Sequence, residues 1–164
     1  MSRAELNYAT LLELTSLLSS QRNTESLWHA IAEHIRRVVP WDRAGIVLYD
    51  RDVDAFWFYA LVTRGKTPVL NRDTLIPKQK SAVGWVYEHR QIHVRPNLHA
   101  EQVFFEDPYY LQEGLGRMIN VPLIVPDTCL GTLNIGSVQT GEPDPEDLRF
   151  LQLVATQISV AIGW

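Results

Sequence analysis

Cysteine is almost missing from this chain of 164 residues, where Cys129 stands alone. One thiol cannot build an internal disulfide framework, and its isolation fits a reducing compartment. Long apolar runs are missing too. None approaches the roughly 20 residues that a membrane-spanning helix requires. The start, MSRAELNYATLLELTSLL, lacks the basic stretch and apolar block of a secretion signal. Excess positive charge is the third absence: 15 Lys and Arg face 19 Asp and Glu, which leaves no electrostatic footprint for nucleic acid. Repeats and low-complexity segments are also lacking. These absences point to a soluble cytoplasmic chain without membrane or direct nucleic-acid partners. An apolar content of 46% is enough for the core of one domain over residues 1–164.

What is present is arranged around Asn120–Ser137. It reads as two strands, Met118–Val125 and Leu130–Ser137, joined by Pro126-Asp127-Thr128, residue types that preset a tight turn. Both runs are apolar on both faces, as expected of central strands covered from both sides. Gly131 interrupts the second run and predicts a close approach by another backbone or a bulky side chain.

Helical spacing appears over Ala4–Ser20, with Leu11, Leu14 and Leu18, and again from Asn23-Thr24 to Val39, with Leu27, Ile31, Ile35 and Val38. Strands follow at Arg43–Asp50 and Ala55–Val62. In the second, Phe56 and Phe58 oppose Trp57 and Tyr59. A polar edge strand is expected near Val69–Ile76. Ser81 is an N-cap for a short helix through Gln91, within which Gly84 predicts close packing and Trp85 is expected to turn inward. A short strand, Ile92–Arg95, leads to a long connection, Leu98–Gly116, crowded with Phe104, Phe105, Tyr109 and Tyr110. Loops of that length in compact domains usually serve as lids or binding segments. The last helix has the clearest start: Asp144 as cap, Pro145 first, and Glu146 and Asp147 at the positive end. Its stripe of Leu148, Leu151, Ala155, Ile158 and Ile162 must dock. The apolar end at Gly163-Trp164 is read as a helix that continues further.

The order of elements, with Val83-Gly84-Trp85-Val86, Asn120–Val125, Leu130–Ser137 and the Glu146–Ile162 helix ending QISVAI, resembles a GAF domain. The match covers about residues 8–162 and is similar to the amino-terminal sensory domains of bacterial transcriptional regulators and histidine kinases. The resemblance implies an α+β fold, a profilin-like antiparallel sheet of core order 2-1-5-4-3. It places terminal helices on one face and a lidded small-molecule pocket on the other. Residues 1–22 would be the amino-terminal helix and 145–164 a signalling helix leading to an output domain outside this chain, as in two-component systems.

The subclasses of that family are told apart by residues. Bilin-binding relatives attach the chromophore through a lid cysteine, whereas Cys129 sits in a hairpin turn with no histidine nearby. Free-methionine-sulfoxide reductases exchange several thiols, which one cysteine cannot do. The cyclic-nucleotide signature is not matched, since Leu98 follows Asn97. His89, His93 and His99 lie close in sequence but share no face of a regular element. Haem or iron ligation is therefore the least favoured reading, and no cofactor or metal is expected. No catalytic constellation is recognisable, so the expectation is a non-enzyme.

What remains is an aromatic cavity lined by Trp57, Tyr59, Trp85, Phe104, Phe105, Tyr109 and Tyr110. His93, Met118, Asn120, Thr132 and Asn134 add polar or soft contacts. Two readings stay open: a sensor of an unidentified small molecule under the lid, or a filled core serving only as a dimerisation module. The Leu11, Leu14 and Leu18 stripe, paired with Ile158 and Ile162, is expected to form the seam of a homodimer rather than intramolecular packing.

Overall fold

The computed structural model describes residues 2–18, 24–65 and 67–163. Helix α1 (Arg3–Leu18) and helix α2 (Thr24–Arg36) precede strands β1 (Arg43–Asp50), β2 (Ala55–Thr63) and β3 (Ile76–Pro77). Then come α3 (Ala82–His89), β4 (His93–Arg95), α4 (Asp107–Gln112), β5 (Arg117–Val125), β6 (Thr128–Ser137) and α5 (Pro145–Gly163). The six strands form one sheet in the order β3-β2-β1-β6-β5-β4, with antiparallel pairing throughout. Leaving out the two-residue β3, the order is the expected 2-1-5-4-3. The expected caps of α2 at Asn23 and the Thr24 side chain lie outside the described residues, as do Ser20 and Trp164.

The β5–β6 hairpin is central, as its double-sided apolar pattern requires. Its turn is shorter than expected, because Thr128 already pairs with Val125 and only Pro126 and Asp127 lie between the strands. A Cβ on Gly131 would sit 2.0 Å from the Val47 carbonyl oxygen; here the neighbour is the β1 backbone. Pro122 is tolerated inside β5 because β4 pairs only with Met118–Asn120. Beyond Asn120 that side of β5 is a sheet edge, where a missing N–H costs little.

One face of the sheet carries the helices. Leu14, Trp28, Ile31, Ile35 and α5 residues Leu151, Val154 and Ile158 pack there with Ile46, Ile119, Val121, Leu133 and Ile135. The start of α5 is built as its sequence dictates. Asp144 Oδ1 accepts from Glu146 N–H at 2.8 Å, and Pro145 needs no partner. Arg3 Nε donates to Asp147 Oδ1 at 2.7 Å, which locks α1 to α5. The other face carries α3, α4 and the connections around them. Val47, Phe56, Phe58, Leu70, Ile76, Val83, Leu98, Tyr110, Leu115 and Met118 form a second core there.

Two expectations are corrected here. The Val69–Ile76 segment is not a strand except at Ile76; Leu70 and Ile76 instead bury their side chains in the second core. The Leu98–Gly116 connection is not a structureless loop, since Asp107–Gln112 form α4.

Candidate functional site

The lid over the second core is fastened by three carboxylates from one short stretch. Glu106 reaches the start of α3, its Oε1 accepting from Ala82 N–H at 2.8 Å and its Oε2 from Val83 N–H at 3.0 Å. Ser81 Oγ accepts from Gly84 N–H at 3.0 Å, so the first three donors of α3 are all satisfied. A Cβ on Gly84 would lie 1.9 Å from the Lys78 carbonyl oxygen, which is why the helix can approach that loop only with glycine there. Asp107 Oδ2 accepts from Arg95 Nη2 of β4 at 2.6 Å and from the N–H groups of Val103 and Phe104, both at 2.8 Å. Glu113 Oε1 accepts from Arg43 Nη1 of β1 at 2.7 Å and from Val69 N–H at 2.7 Å. The guanidinium of Arg43 also lies 5.3 Å from the Tyr110 ring centre, a cation–π contact in a desolvated setting.

Beside these anchors, rings gather at the β4 edge. Trp85 stacks on His89 with centres 4.1 Å apart and meets His93 at 4.6 Å. Phe104 stands edge-on to His93 at 5.8 Å, and the Arg95 guanidinium lies 4.8 Å from its centre. Beneath them runs a buried polar row. His93 pairs across the sheet with Asn120, and Asn120 with Asn134. Asn120 Nδ2 donates to Asn134 Oδ1 at 2.7 Å, and Thr132 Oγ1 donates to the same oxygen at 2.8 Å.

This region holds polar atoms that nothing answers. Among the described residues, His93 Nδ1, Arg95 Nε and Nη1, Asp107 Oδ1 and Asn120 Oδ1 are buried without a hydrogen-bond partner. Such groups typically cost about 1–3 kcal/mol each and call for an explanation. Burial, followed by the nearby Arg95, holds the His93 imidazolium below its ordinary range. Burial pushes the Glu106 carboxyl up, against the backbone donors of Ala82, Val83 and Glu106 itself that favour its charged form. A groove of about 230 Å³ opens outside the same rings, lined by Lys78, Ser81, Gly84, Trp85, His89 and Phe104 among others. A larger opening of about 480 Å³ lies along β5 and α5, between Ile92, Ile124 and Gln152. None of the unanswered polar atoms lines either opening, but Trp85 and Phe104 of the smaller one also meet His93 and Arg95, so the β4 edge is the better candidate.

The expected cavity residues divide accordingly. Trp85, His93 and Phe104 come together, and Asn120, Thr132 and Asn134 form the floor beneath them. Tyr110 and Met118 are sealed in the second core at 1% and 0% exposure. Phe105 and Tyr109 meet each other at 5.4 Å and pack against that core from outside. Trp57 and Tyr59 are corrections, for both point to the helix face. Tyr59 packs against the helix-side core, and Trp57 beside it is 41% exposed. Phe56 and Phe58 face the lid instead. In β2 the all-carbon rings of Phe56 and Phe58 take the sealed side, while Trp57 and Tyr59 lie on the less enclosed one.

Leu14 and Ile158, expected on a dimer seam, are also corrected. They lie inside the helix-side core at 1% and 2% exposure, with Leu11, Leu18 and Ile162 half-buried against it. The exposed large apolar side chains of α1 and α5 are Tyr8, Leu12, Leu153 and Val160. Cys129 is buried, and burial raises its thiol above the usual range. His99 is exposed.

The family model described as GAF domain matches residues 23–162 of the chain. Among solved structures, the GAF domain of a phosphoenolpyruvate-protein phosphotransferase from Coxiella burnetii is similar at 16% identity. It covers 99% of this chain and 95% of that one, with a TM-score of 0.84. The GAF domain of a two-component sensor histidine kinase from Bacillus halodurans shares 23% identity, covering 83% and 90%, with a TM-score of 0.73. Free methionine-R-sulfoxide reductase from Neisseria meningitidis, solved in complex with its substrate, shares 17% identity over 99% and 92%, with a TM-score of 0.79. None of the curated proteins matches the chain.

Proposed function

Because the chain belongs to the GAF domain family, we propose that it is a non-catalytic sensory domain binding a small molecule at the β4 edge. The ligand would lie beneath Trp85 and Phe104 and above Asn120. The observation that carries this reading is the group of unpartnered buried polar atoms on His93, Arg95, Asp107 and Asn120. A ligand offering complementary donors and acceptors would recover what their burial costs. The fastened lid supports a site of this kind, since a preorganised frame lowers the ordering cost of binding.

A sensory role is favoured over thiol chemistry. The lone Cys129 is buried with a raised pKa, which opposes the thiolate needed for nucleophilic attack. Transmission to an output domain would run through α1 and α5, which are tied together by Arg3 and Asp147. Bound ligand would shift the balance between two arrangements of those helices. The experiment is a thermal-shift screen of the full chain against a metabolite panel, followed by tryptophan fluorescence. Saturable stabilisation lost on Trp85→Leu is expected. A panel that leaves both readouts unmoved overturns the ligand reading.

A second reading has its own observation. The second core beneath the lid is filled, with every member at 6% exposure or less, as in a module that only joins two copies. The exposed Tyr8, Leu12, Leu153 and Val160 offer the surface for it.

A further inference from the structure

The unanswered atoms at the β4 edge also constrain what could answer them; this step rests on the proposed ligand site and narrows its chemistry. Arg95 Nε and Nη1 can only donate. Asp107 Oδ1 and Asn120 Oδ1 can only accept, because the Asn120 amide is oriented by its Nδ2 bond to Asn134. A complementary molecule therefore carries both an acceptor and a donor.

Charge narrows it further. Arg95, at 2% exposure, is already matched by the fully buried Asp107. His93 is held toward its neutral form. Glu106 turns its carboxyl to the α3 amides, and Glu101 accepts from Arg95 through its backbone oxygen while its exposed carboxylate acts on His93 by charge alone. His89 lies on the outer side, stacked on Trp85. A carboxylate ligand would compete with Asp107 for one guanidinium, and a cation would sit beside Arg95. Either adds a buried charge without a counter-charge, which is expensive. The walls are the rings of Trp85, His93 and Phe104, which favour a planar π-system.

We infer that the site takes a small, neutral, planar ring bearing a cyclic amide, its carbonyl accepting from Arg95 and its N–H donating to Asn120 or Asp107. Trp85 and Phe104 line the outer groove of about 230 Å³, and on their inner side Trp85 meets His93 while Phe104 meets His93 and Arg95. Entry therefore requires those two rings to part.

The test uses the full chain with uracil, hydantoin and 2-pyridone as neutral cyclic amides. Benzoate and benzamidine serve as charged rings of similar size. Binding is read by calorimetry and by the indole resonance of Trp85. At least one cyclic amide should saturate and shift that resonance, and methylating its amide nitrogen should weaken binding about tenfold, the worth of one hydrogen bond. Asn120→Leu should weaken it similarly; should that variant not fold, the methylated probe on the native chain decides. If benzoate, benzamidine or another metabolite shifts Trp85 while no cyclic amide does, the chemical class is wrong and the ligand site stands. If no probe and no metabolite moves Trp85, the site and the class fail together.

Discussion

Arg95 on β4 and Asp107 at the start of α4 face each other across 2.6 Å, with 2% and 0% of their side chains exposed. A charged pair so deeply buried is weak evidence of stabilisation by itself, because both ions surrender their hydration. Its meaning lies in geometry. Asp107 also collects the Val103 and Phe104 N–H groups, so one carboxylate sets the lid, the edge strand and the Phe104 ring at once.

The first prediction follows from that pairing. Asp107→Leu and Arg95→Met should each cost about 3–5 kcal/mol, since each strands a buried partner. The double variant should cost clearly less than the sum, because no charge is left unpaired. Urea denaturation of the four proteins measures the coupling. Additive losses would mean that the two side chains act independently and that the lid is held elsewhere.

Gly131 supplies a prediction about the sheet. A methyl group there would meet the Val47 carbonyl at 2.0 Å, and backbone in a paired strand cannot step aside. Gly131→Ala should therefore lose stability at or above the upper end of the roughly 1–3 kcal/mol seen for overpacking. Gly65→Ala offers the contrast. Its φ is +70° but nothing lies within 4 Å, so only conformational strain of about 1 kcal/mol is expected. Equal losses in chemical denaturation would contradict this account.

Much of this architecture was legible because local signals agree with the packing. The Asp144-Pro145 start, the α5 stripe, the Ser81 cap and the two crowded glycines each carry their reason within a few residues. What stayed hidden depends on distant partners. Glu106, Asp107 and Glu113 carry no local sequence signal of their role, yet each is buried against an element distant in sequence. Alternation in β2 separates Phe56 and Phe58 from Trp57 and Tyr59, but it does not say which pair meets the lid. The seam expected at Leu14 and Ile158 fails for a related reason. A leucine stripe on α1 identifies a buried face without saying what buries it, and here α5 and the sheet do.

The surface of α1 and α5 separates folding from association. Leu14→Asp buries a charge in the helix-side core and should unfold the chain rather than release a monomer. Leu12→Asp and Leu153→Asp change side chains that are 56% and 46% exposed. They should leave the thermal midpoint within a few degrees of native, and they should lower the sedimenting mass if two copies join through this face. A native chain that sediments as a monomer at every concentration removes the dimerisation reading.

The last prediction concerns pH. His93 titrates below its ordinary value of 6.5, first because burial penalises the imidazolium and second because Arg95 is near. The folded state thus binds this proton less readily than the unfolded chain. Its contribution to stability is full above 6.5 and is lost as pH falls from 6.5 through the lowered value. Glu106 has the opposite sign. Burial raises its carboxyl above 4.5, so the folded state takes up that proton more readily, and stability is regained as pH falls toward 4.5. The His93 effect is isolated by comparing His93→Gln with the native chain, since both retain Glu106. Urea midpoints followed from about pH 7.5 to about pH 5 should decline less steeply in the variant. Parallel lines would mean that water reaches the ring freely, and the buried polar row beneath Trp85 would then lack its outermost member.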